Sequence, residues 1–259
     1  MQLQAIDYTS PTAQEDFVKS LHETGFGVLK NHPIQKTLVS DIYREWQSFF
    51  DNEEKNDYRY NKGTQDGYFP PDVSETAKGH TKKDIKEYFH YYPWGQCPAD
   101  KKALLTQYYA EANTLASTLL AWVEKHSPID VAKHYSQSLS SMVDGSGQTL
   151  LRVLHYPPLK GDEELGAIRA GAHEDINLLT ILPSANEPGL QVKAKDGTWM
   201  DVPCDFGTLI VNIGDMLQEA SGGYFPSTSH RVINPEVVLS ERHTAGSYLH
   251  ERLVELGVI

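Results

Sequence analysis

The segment GAHEDINLLTILP, residues 171–183, places two side chains that bind metals well directly before an apolar run. His173 and Asp175 are separated by one residue, and alternate side chains of a β-strand project to the same face. The apolar run at residues 178–182 is predicted to be a strand that is buried on both faces. A motif this short also arises by chance, and a polar strand end with Asp175 in a turn is the competing interpretation.

A second histidine, His230 in STSHRVINP, begins another strand-like run, and two hairpin-like segments separate it from His173. If those segments stack in a jelly roll, the strand ends meet. His173, Asp175 and His230 would then bind one side of a single metal ion. Such a 2-His-1-carboxylate set leaves ligand positions open, which suits non-haem Fe(II) that activates O₂. Structural zinc is disfavoured because its sites usually have four protein ligands, whereas catalytic zinc stays an alternative.

The elements that would position these residues fall into two halves. Residues 13–24, 36–52 and 99–126 are predicted to be helices because their apolar side chains recur at helical spacing. Gly25 ends the first helix, and GFGVLKNH after it is predicted to be a short strand. Residues 60–72, YNKGTQDGYFPPD, are predicted to be irregular because Gly and Pro interrupt regular elements.

After about residue 148 the chain consists of short strand-like runs separated by Gly, Pro, Asn and Asp. AKDGTW contains an Asp-Gly turn between alternating segments, which indicates a hairpin. Many short strands without helices between them are typical of a sandwich or barrel, including the jelly roll. We therefore predict an α+β protein in which helices come first and share one interior with an all-β core.

Composition narrows the function classes. The net charge of -12 argues against a nucleic acid or an anionic membrane as partner, because both require a positive surface. The N-terminus lacks the pattern of a secretory signal, and no apolar run has the length of a membrane helix. Cys97 and Cys204 are interpreted as reduced thiols, with one disulfide as the alternative. These features predict a cytoplasmic protein.

Further motifs extend along the chain: IDYTS, ETGFGVLKNHPI, GYFPP and DIKEYFHYY, then GAHEDINLLTIL, GLQVKAKDGTWMDVP, GTLIVNIGDMLQEAS, STSHRVINP and ERHTAG. In this order they resemble the iron(II)- and 2-oxoglutarate-dependent oxygenases, in particular the branch similar to isopenicillin N synthase and its compact bacterial-type members. The resemblance implies a double-stranded β-helix (jelly-roll) core. Residues 1–100 would be a helical leader that does not fold alone. Residues 101–259 would hold the long helix, the core and a short C-terminal helix.

The resemblance also assigns site residues. The iron ligands correspond to His173, Asp175 and His230. The remote carboxylate of 2-oxoglutarate would be bound by Arg242-x-Thr244, with Thr in place of the usual Ser, and by Tyr156 in RVLHYPP. A guanidinium offers a planar fork to a carboxylate, and hydroxyl groups complete the oxygens' hydrogen bonds. Leu154 stands where many relatives have Asn, so one polar contact near the co-substrate is missing.

The activity implied is oxidation of a small molecule with Fe(II), 2-oxoglutarate and O₂, giving succinate and CO₂ as co-products. Hydroxylation, desaturation and ring closure are the outcomes in this family. Two alternatives stay open: an isopenicillin N synthase-like oxidase that does not use 2-oxoglutarate, and a non-redox jelly-roll metal-binding protein. Candidates for facing the substrate are residues 88–92, His155, Arg169, Phe225 and His250, of which Arg169 is favoured if the substrate carries a carboxylate.

Overall fold

The computed structural model describes residues 3–73, 83–160, 163, 166–185 and 187–235, which contain five α-helices and eleven β-strands. The helices are α1 (Ala13–Thr24), α2 (Lys36–Asp51), α3 (Lys102–His126), α4 (Ile129–Ala132) and α5 (Asp215–Ala220). The three long helices lie where the sequence predicts them. Gly25 ends α1 because it adopts a positive φ of 76° and its N–H donates to the Leu21 carbonyl.

The strands form three sheets. They are β1 (Ala5–Asp7), β2 (Phe26–Lys30), β3 (Gly67–Phe69), β4 (Glu87–Tyr91), β5 (Leu151–His155), β6 (Ala170–His173), β7 (Leu179–Pro183), β8 (Leu190–Lys193), β9 (Trp199–Asp201), β10 (Leu209–Ile213) and β11 (His230–Val232). The strand orders are β1-β2-β10-β7 in the first sheet, β6-β11-β8-β9 in the second and β3-β4-β5 in the third. Only the pairing of β1 with β2 is parallel among these strands.

The first and second sheets pack together as the jelly-roll core that the sequence predicts. Val28 and Ile210 of the first sheet share an apolar cluster with Val192 of the second. The next side chains along the same strands, Leu29 and Val211, belong to the cluster that includes the buried faces of α1, α2 and α3. Because side chains alternate between the faces of a strand, the first sheet contacts the second sheet on one side and the helices on the other.

The first hundred residues supply strands to these sheets as well as helices. β2 pairs with β10, with Val28 opposite Ile210, and β4 pairs with β5, with Phe89 opposite Val153. The predicted order of helices followed by an all-β core is wrong only in the number of strands in the first half: four strands, β1 to β4, precede α3, and β2 alone lies in the predicted strand GFGVLKNH. Long-range pairing joins the two halves of the chain into common sheets.

Two local predictions are also wrong. Residues 60–72 contain β3, whose Tyr68 and Phe69 are buried, because pairing with β4 outweighs the turn-forming tendency of the neighbouring Gly and Pro. Residues 178–182, predicted to be buried on both faces, largely form β7, which is only partly buried. β7 lies at the end of its sheet, whereas the neighbouring β10 is central and fully buried.

Other predictions concern the ends and the thiols. The predicted C-terminal helix lies outside the described residues, as do Arg242, Thr244 and His250. Cys97 and Cys204 are not joined in a disulfide, which removes the disulfide alternative. Among the described residues, no helix has the length and apolar character needed to cross a membrane.

Candidate metal centre

The two histidines of the predicted site face each other across paired strands. β6 ends at His173 and β11 begins at His230, and these two residues are direct partners in the antiparallel pairing of β6 with β11. Their imidazole centroids are 4.4 Å apart. The prediction that the two strand ends meet is confirmed, and the register of the second sheet is what brings the rings together.

Asp175 lies near both histidines, but not for the reason that the sequence suggested. β6 ends at His173, so Asp175 lies in the connection to β7 and not on the same face of one strand. Its Oδ1 atom nevertheless lies 3.9 Å from His173 Nε2 and 3.8 Å from His230 Nε2. The connection between β6 and β7, and not strand alternation, therefore positions the carboxylate.

A second cross-strand pair holds the other oxygen of this carboxylate. Thr180 of β7 and Asn212 of β10 are direct partners in the first sheet. Thr180 Oγ1 and Asn212 Nδ2 donate to Asp175 Oδ2 at 2.5 Å and 2.8 Å. The carboxylate therefore lies between the sheets: the first sheet holds Oδ2, and Oδ1 faces the two imidazoles from the second.

Hydrogen bonds also fix which nitrogen of each imidazole carries the hydrogen. His173 Nδ1 lies 2.7 Å from the Gly171 carbonyl oxygen, and His230 Nδ1 lies 3.2 Å from that of Thr228. A carbonyl oxygen only accepts, so Nδ1 is the donor in both rings and Nε2 keeps its lone pair in the neutral form. Both lone pairs belong to the atoms that face Asp175 Oδ1, as in histidines oriented by their backbone for a metal.

The protonation states favour the same chemistry. Burial opposes ionisation of Asp175, but the His230 imidazole and the hydrogen bonds from Thr180 and Asn212 outweigh it, so its pKa is lowered. Burial and the neighbouring His173 lower the pKa of His230, despite the opposing charge of Asp175. Near neutral pH the site thus presents a carboxylate beside a neutral His230 ring, the forms in which both side chains bind metals.

The three potential ligand atoms fit a non-haem iron better than a structural zinc. The three ligand atoms lie within 4.8 Å of one another, and no other group of three such side chains occurs in the part of the chain that the structure describes. Structural zinc sites are usually closed by four protein ligands. Two imidazole nitrogens and one carboxylate oxygen instead match the set that leaves positions open on Fe(II).

The predicted co-substrate residues are only partly described. Tyr156 directly follows β5, and its ring lies 5.3 Å from the guanidinium of Arg169. Burial raises the pKa of Tyr156 to about 12, so its hydroxyl stays protonated and can donate. Its expected partners Arg242 and Thr244 lie outside the described residues.

Several other candidates have structural roles. Phe225 is fully buried in the apolar core, and His155 pairs with the buried Glu87 at 2.8 Å. Tyr88, Phe89 and Tyr91 of β4 are buried too. An open groove of about 470 Å³ includes none of the three potential ligands; it is lined by Arg59, Tyr60, Asn61, Thr64, Asp66, Trp94 and Gln96.

Sequence reasoning missed the two residues that hold Asp175. Asn212 interrupts the apolar run TLIVNIG, and Thr180 interrupts LLTIL. A polar side chain inside a buried strand requires a hydrogen-bond partner, so both positions carried a signal. The partner itself became identifiable only from the register of β7 against β10.

Comparisons with known proteins agree with this chemistry. A model of the 2OG-Fe(II) oxygenase superfamily matches residues 147–247. A second family model, described as the N-terminal region of the non-haem dioxygenase in morphine synthesis, matches residues 3–111. A gibberellin 2-beta-dioxygenase from Arabidopsis thaliana is 26% identical over 272 residues, covering 98% of this chain and 78% of that protein.

Solved structures add the fold. A candidate oxygenase from Shewanella oneidensis is 60% identical, with a TM-score of 0.84 and coverage of 100% of both chains. A candidate 2OG-Fe(II) oxygenase family protein from Caulobacter crescentus is 25% identical, with a TM-score of 0.73 and coverage of 98% of this chain and 99% of that one. The oxidase and non-redox alternatives are not favoured. The chain belongs to the 2OG-Fe(II) oxygenase superfamily and is a non-haem iron oxidoreductase with 2-oxoglutarate as co-substrate.

Proposed function

We propose that Fe(II) is held by His173 Nε2, His230 Nε2 and Asp175 Oδ1, and that the chain oxidises a small molecule at this centre. The observation that carries the proposal is the convergence of these three atoms, with the Nδ1 atom of each imidazole held by a backbone carbonyl oxygen. The bound iron and 2-oxoglutarate supply the oxidising chemistry, in which 2-oxoglutarate and O₂ become succinate and CO₂ while the substrate is oxidised.

The protein's own contribution is to hold and orient these groups. Thr180 and Asn212 occupy Asp175 Oδ2, which leaves Oδ1 for the metal. Carbonyl oxygens accept from both Nδ1 atoms and keep the rings turned. Arg242, with Thr244 and Tyr156 beside it, would bind the remote carboxylate of 2-oxoglutarate. We assign no general base, because the proposed reaction does not require one.

A small molecule is the substrate class that we propose. The net charge of -12 disfavours nucleic acid. Similar chains include proteins named gibberellin 2-beta-dioxygenase and proline hydroxylase, whose names refer to small molecules. We propose hydroxylation, desaturation or ring closure as the outcome.

The test is succinate formation from 2-oxoglutarate across a library of small metabolites, measured above the background without substrate. His173→Ala, Asp175→Ala and His230→Ala should each abolish both Fe(II) binding and turnover, since each removes a ligand. His134→Ala, at an exposed histidine, is the matched control and should leave both unchanged. Normal iron content and turnover in Asp175→Ala would contradict the assignment. O₂ uptake with substrate but without succinate would instead favour the oxidase.

A further inference from the structure

Arg169 is a partly buried cation without a carboxylate partner among the residues that the structure describes. Its Nε atom is buried without a hydrogen-bond acceptor. The one hydrogen bond that its guanidinium makes among the described residues runs from Nη1 to the Tyr156 carbonyl oxygen at 3.5 Å, the outer limit for such a bond. The guanidinium also lies 5.3 Å from the Tyr156 ring centroid, a cation–π contact that restrains it.

The acidic groups that the structure describes around Arg169 do not neutralise its charge. Asp84 lies close to the same strand, but its Oδ1 accepts from the Gly171 N–H and its Oδ2 forms a 2.8 Å ion pair with Lys86. Burial lowers the pKa of Arg169, and Tyr156 and Glu187 compensate only in part. Arginine nonetheless stays charged near neutral pH. A desolvated, uncompensated charge is costly, and such charges are normally paired.

Arg169 is connected with the metal centre through its place in the chain and through Tyr156. It directly precedes β6, the strand that ends at His173, and the pairing of β6 with β11 has a register shift between Ala170 and His173. Its guanidinium contacts Tyr156, which we assign to the co-substrate. The cation therefore contacts a proposed co-substrate residue and directly precedes the strand that ends at a proposed metal ligand.

We propose that Arg169 binds a carboxylate of the primary substrate, so that the enzyme acts on small organic acids. This inference rests on the proposed function. Both ends of 2-oxoglutarate already have partners in that proposal: the metal at the keto-acid end and Arg242 at the other. A carboxylate that reaches Arg169 would pair with its guanidinium, whose planar fork suits carboxylates, and the buried Nε–H shows that no described acceptor already occupies that side of the group.

The experiment compares acids with their uncharged isosteres. The probes are benzoate, phenylacetate, hexanoate and N-acetylglycine, each paired with its primary amide. Calorimetry without oxygen measures their binding to the protein loaded with Fe(II) and 2-oxoglutarate. The variants are Arg169→Gln, Arg169→Lys and, as a matched control, Arg44→Gln at an exposed arginine. The charge-transfer band of the loaded protein and its 2-oxoglutarate affinity are recorded in parallel.

We expect at least one acid to bind the wild type at least tenfold more tightly than its amide. Arg169→Gln should weaken the binding of that acid about 30-fold or more, which is the loss expected when one partner of a buried charge pair is removed. Arg169→Lys should recover part of it, and the control should match the wild type. The band and the 2-oxoglutarate affinity should not change.

Three results, each with a normal charge-transfer band, would overturn the inference. The first is that no acid binds, and the second is that the amides bind as well as the acids. The third is that Arg169→Gln weakens the binding of 2-oxoglutarate but not that of the acids. The last would assign Arg169 to the co-substrate. Loss of the band in the wild type would instead contradict the proposed function itself.

Discussion

Replacing Asn212 by Leu perturbs the metal site without touching a proposed ligand. Asn212 is 3% exposed in the central strand β10, and its Nδ2 donates to Asp175 Oδ2 at 2.8 Å. Leucine has a similar volume but no donor. Oδ2 would keep only the Thr180 hydroxyl, so the carboxylate would lose one of the two contacts that aim Oδ1 at the imidazoles.

The size of the effect follows from the type of hydrogen bond. A hydrogen bond to a charged group contributes about 1.5–3 kcal/mol, and about 1.4 kcal/mol corresponds to a tenfold change in affinity. We therefore expect Asn212→Leu to weaken Fe(II) binding roughly 10- to 100-fold, the range observed when groups that orient metal ligands are removed. Thr180→Val should act in the same direction because it removes the other donor.

The assay is anaerobic titration of the apo protein with Fe(II), or with Co(II) as a spectroscopic substitute. Thr208→Val is the matched control: Thr208 is also buried, but its hydroxyl donates to the Asp205 carbonyl and not to Asp175. Thermal unfolding of each apo variant shows whether the fold persists. A folded Asn212→Leu protein whose metal affinity lies within twofold of the wild type would refute the assigned role of Asn212.

Three further predictions concern the fold and the co-substrate. Glu87→Gln should lower the free energy of unfolding by about 3 kcal/mol near neutral pH, because buried Glu87 accepts hydrogen bonds from Tyr68, His155 and Lys55. Burial opposes ionisation of Glu87, but these donors lower its pKa below the ordinary value of 4.5. Urea unfolding should therefore show the stabilisation at pH values above 4.5 and its loss as the pH falls through the lowered pKa. A difference between wild type and variant that does not depend on pH would contradict this. Fragment 101–259 should be insoluble or lack cooperative unfolding, because β10 loses its partner β2; a cooperative, active fragment would disprove this. Arg242→Ala should weaken 2-oxoglutarate binding roughly 100- to 10,000-fold with Fe(II) retained, as followed by the charge-transfer band, and unchanged affinity would count against the assignment.

The residues of the site differ in how far the sequence revealed them. His173 and His230 were predictable because each marks an end of a strand whose apolar pattern and flanking Gly, Pro or Ser are local signals. The position of Asp175 was predicted for the wrong reason, since the connection between two sheets carries it. Its donors Thr180 and Asn212 meet only through the register of two distant strands. Local sequence does not encode such a register.

The same distinction applies to the fold. The long helices were predictable because their periodicity is local, and α3 spans Lys102–His126 within the predicted 99–126. β3 was missed because its strand character depends on pairing with β4. The lack of a described carboxylate partner for Arg169 was equally hidden, because a one-dimensional pattern does not show which acids lie near a guanidinium or which groups those acids already bind.

The most direct test of the proposed centre is anomalous diffraction at the iron absorption edge, from crystals grown without oxygen with Fe(II) and 2-oxoglutarate. We predict one iron peak within bonding distance of His173 Nε2, Asp175 Oδ1 and His230 Nε2, with 2-oxoglutarate chelating the same iron. An iron peak elsewhere, a fourth protein ligand that closes the site, or an iron without 2-oxoglutarate would contradict the account.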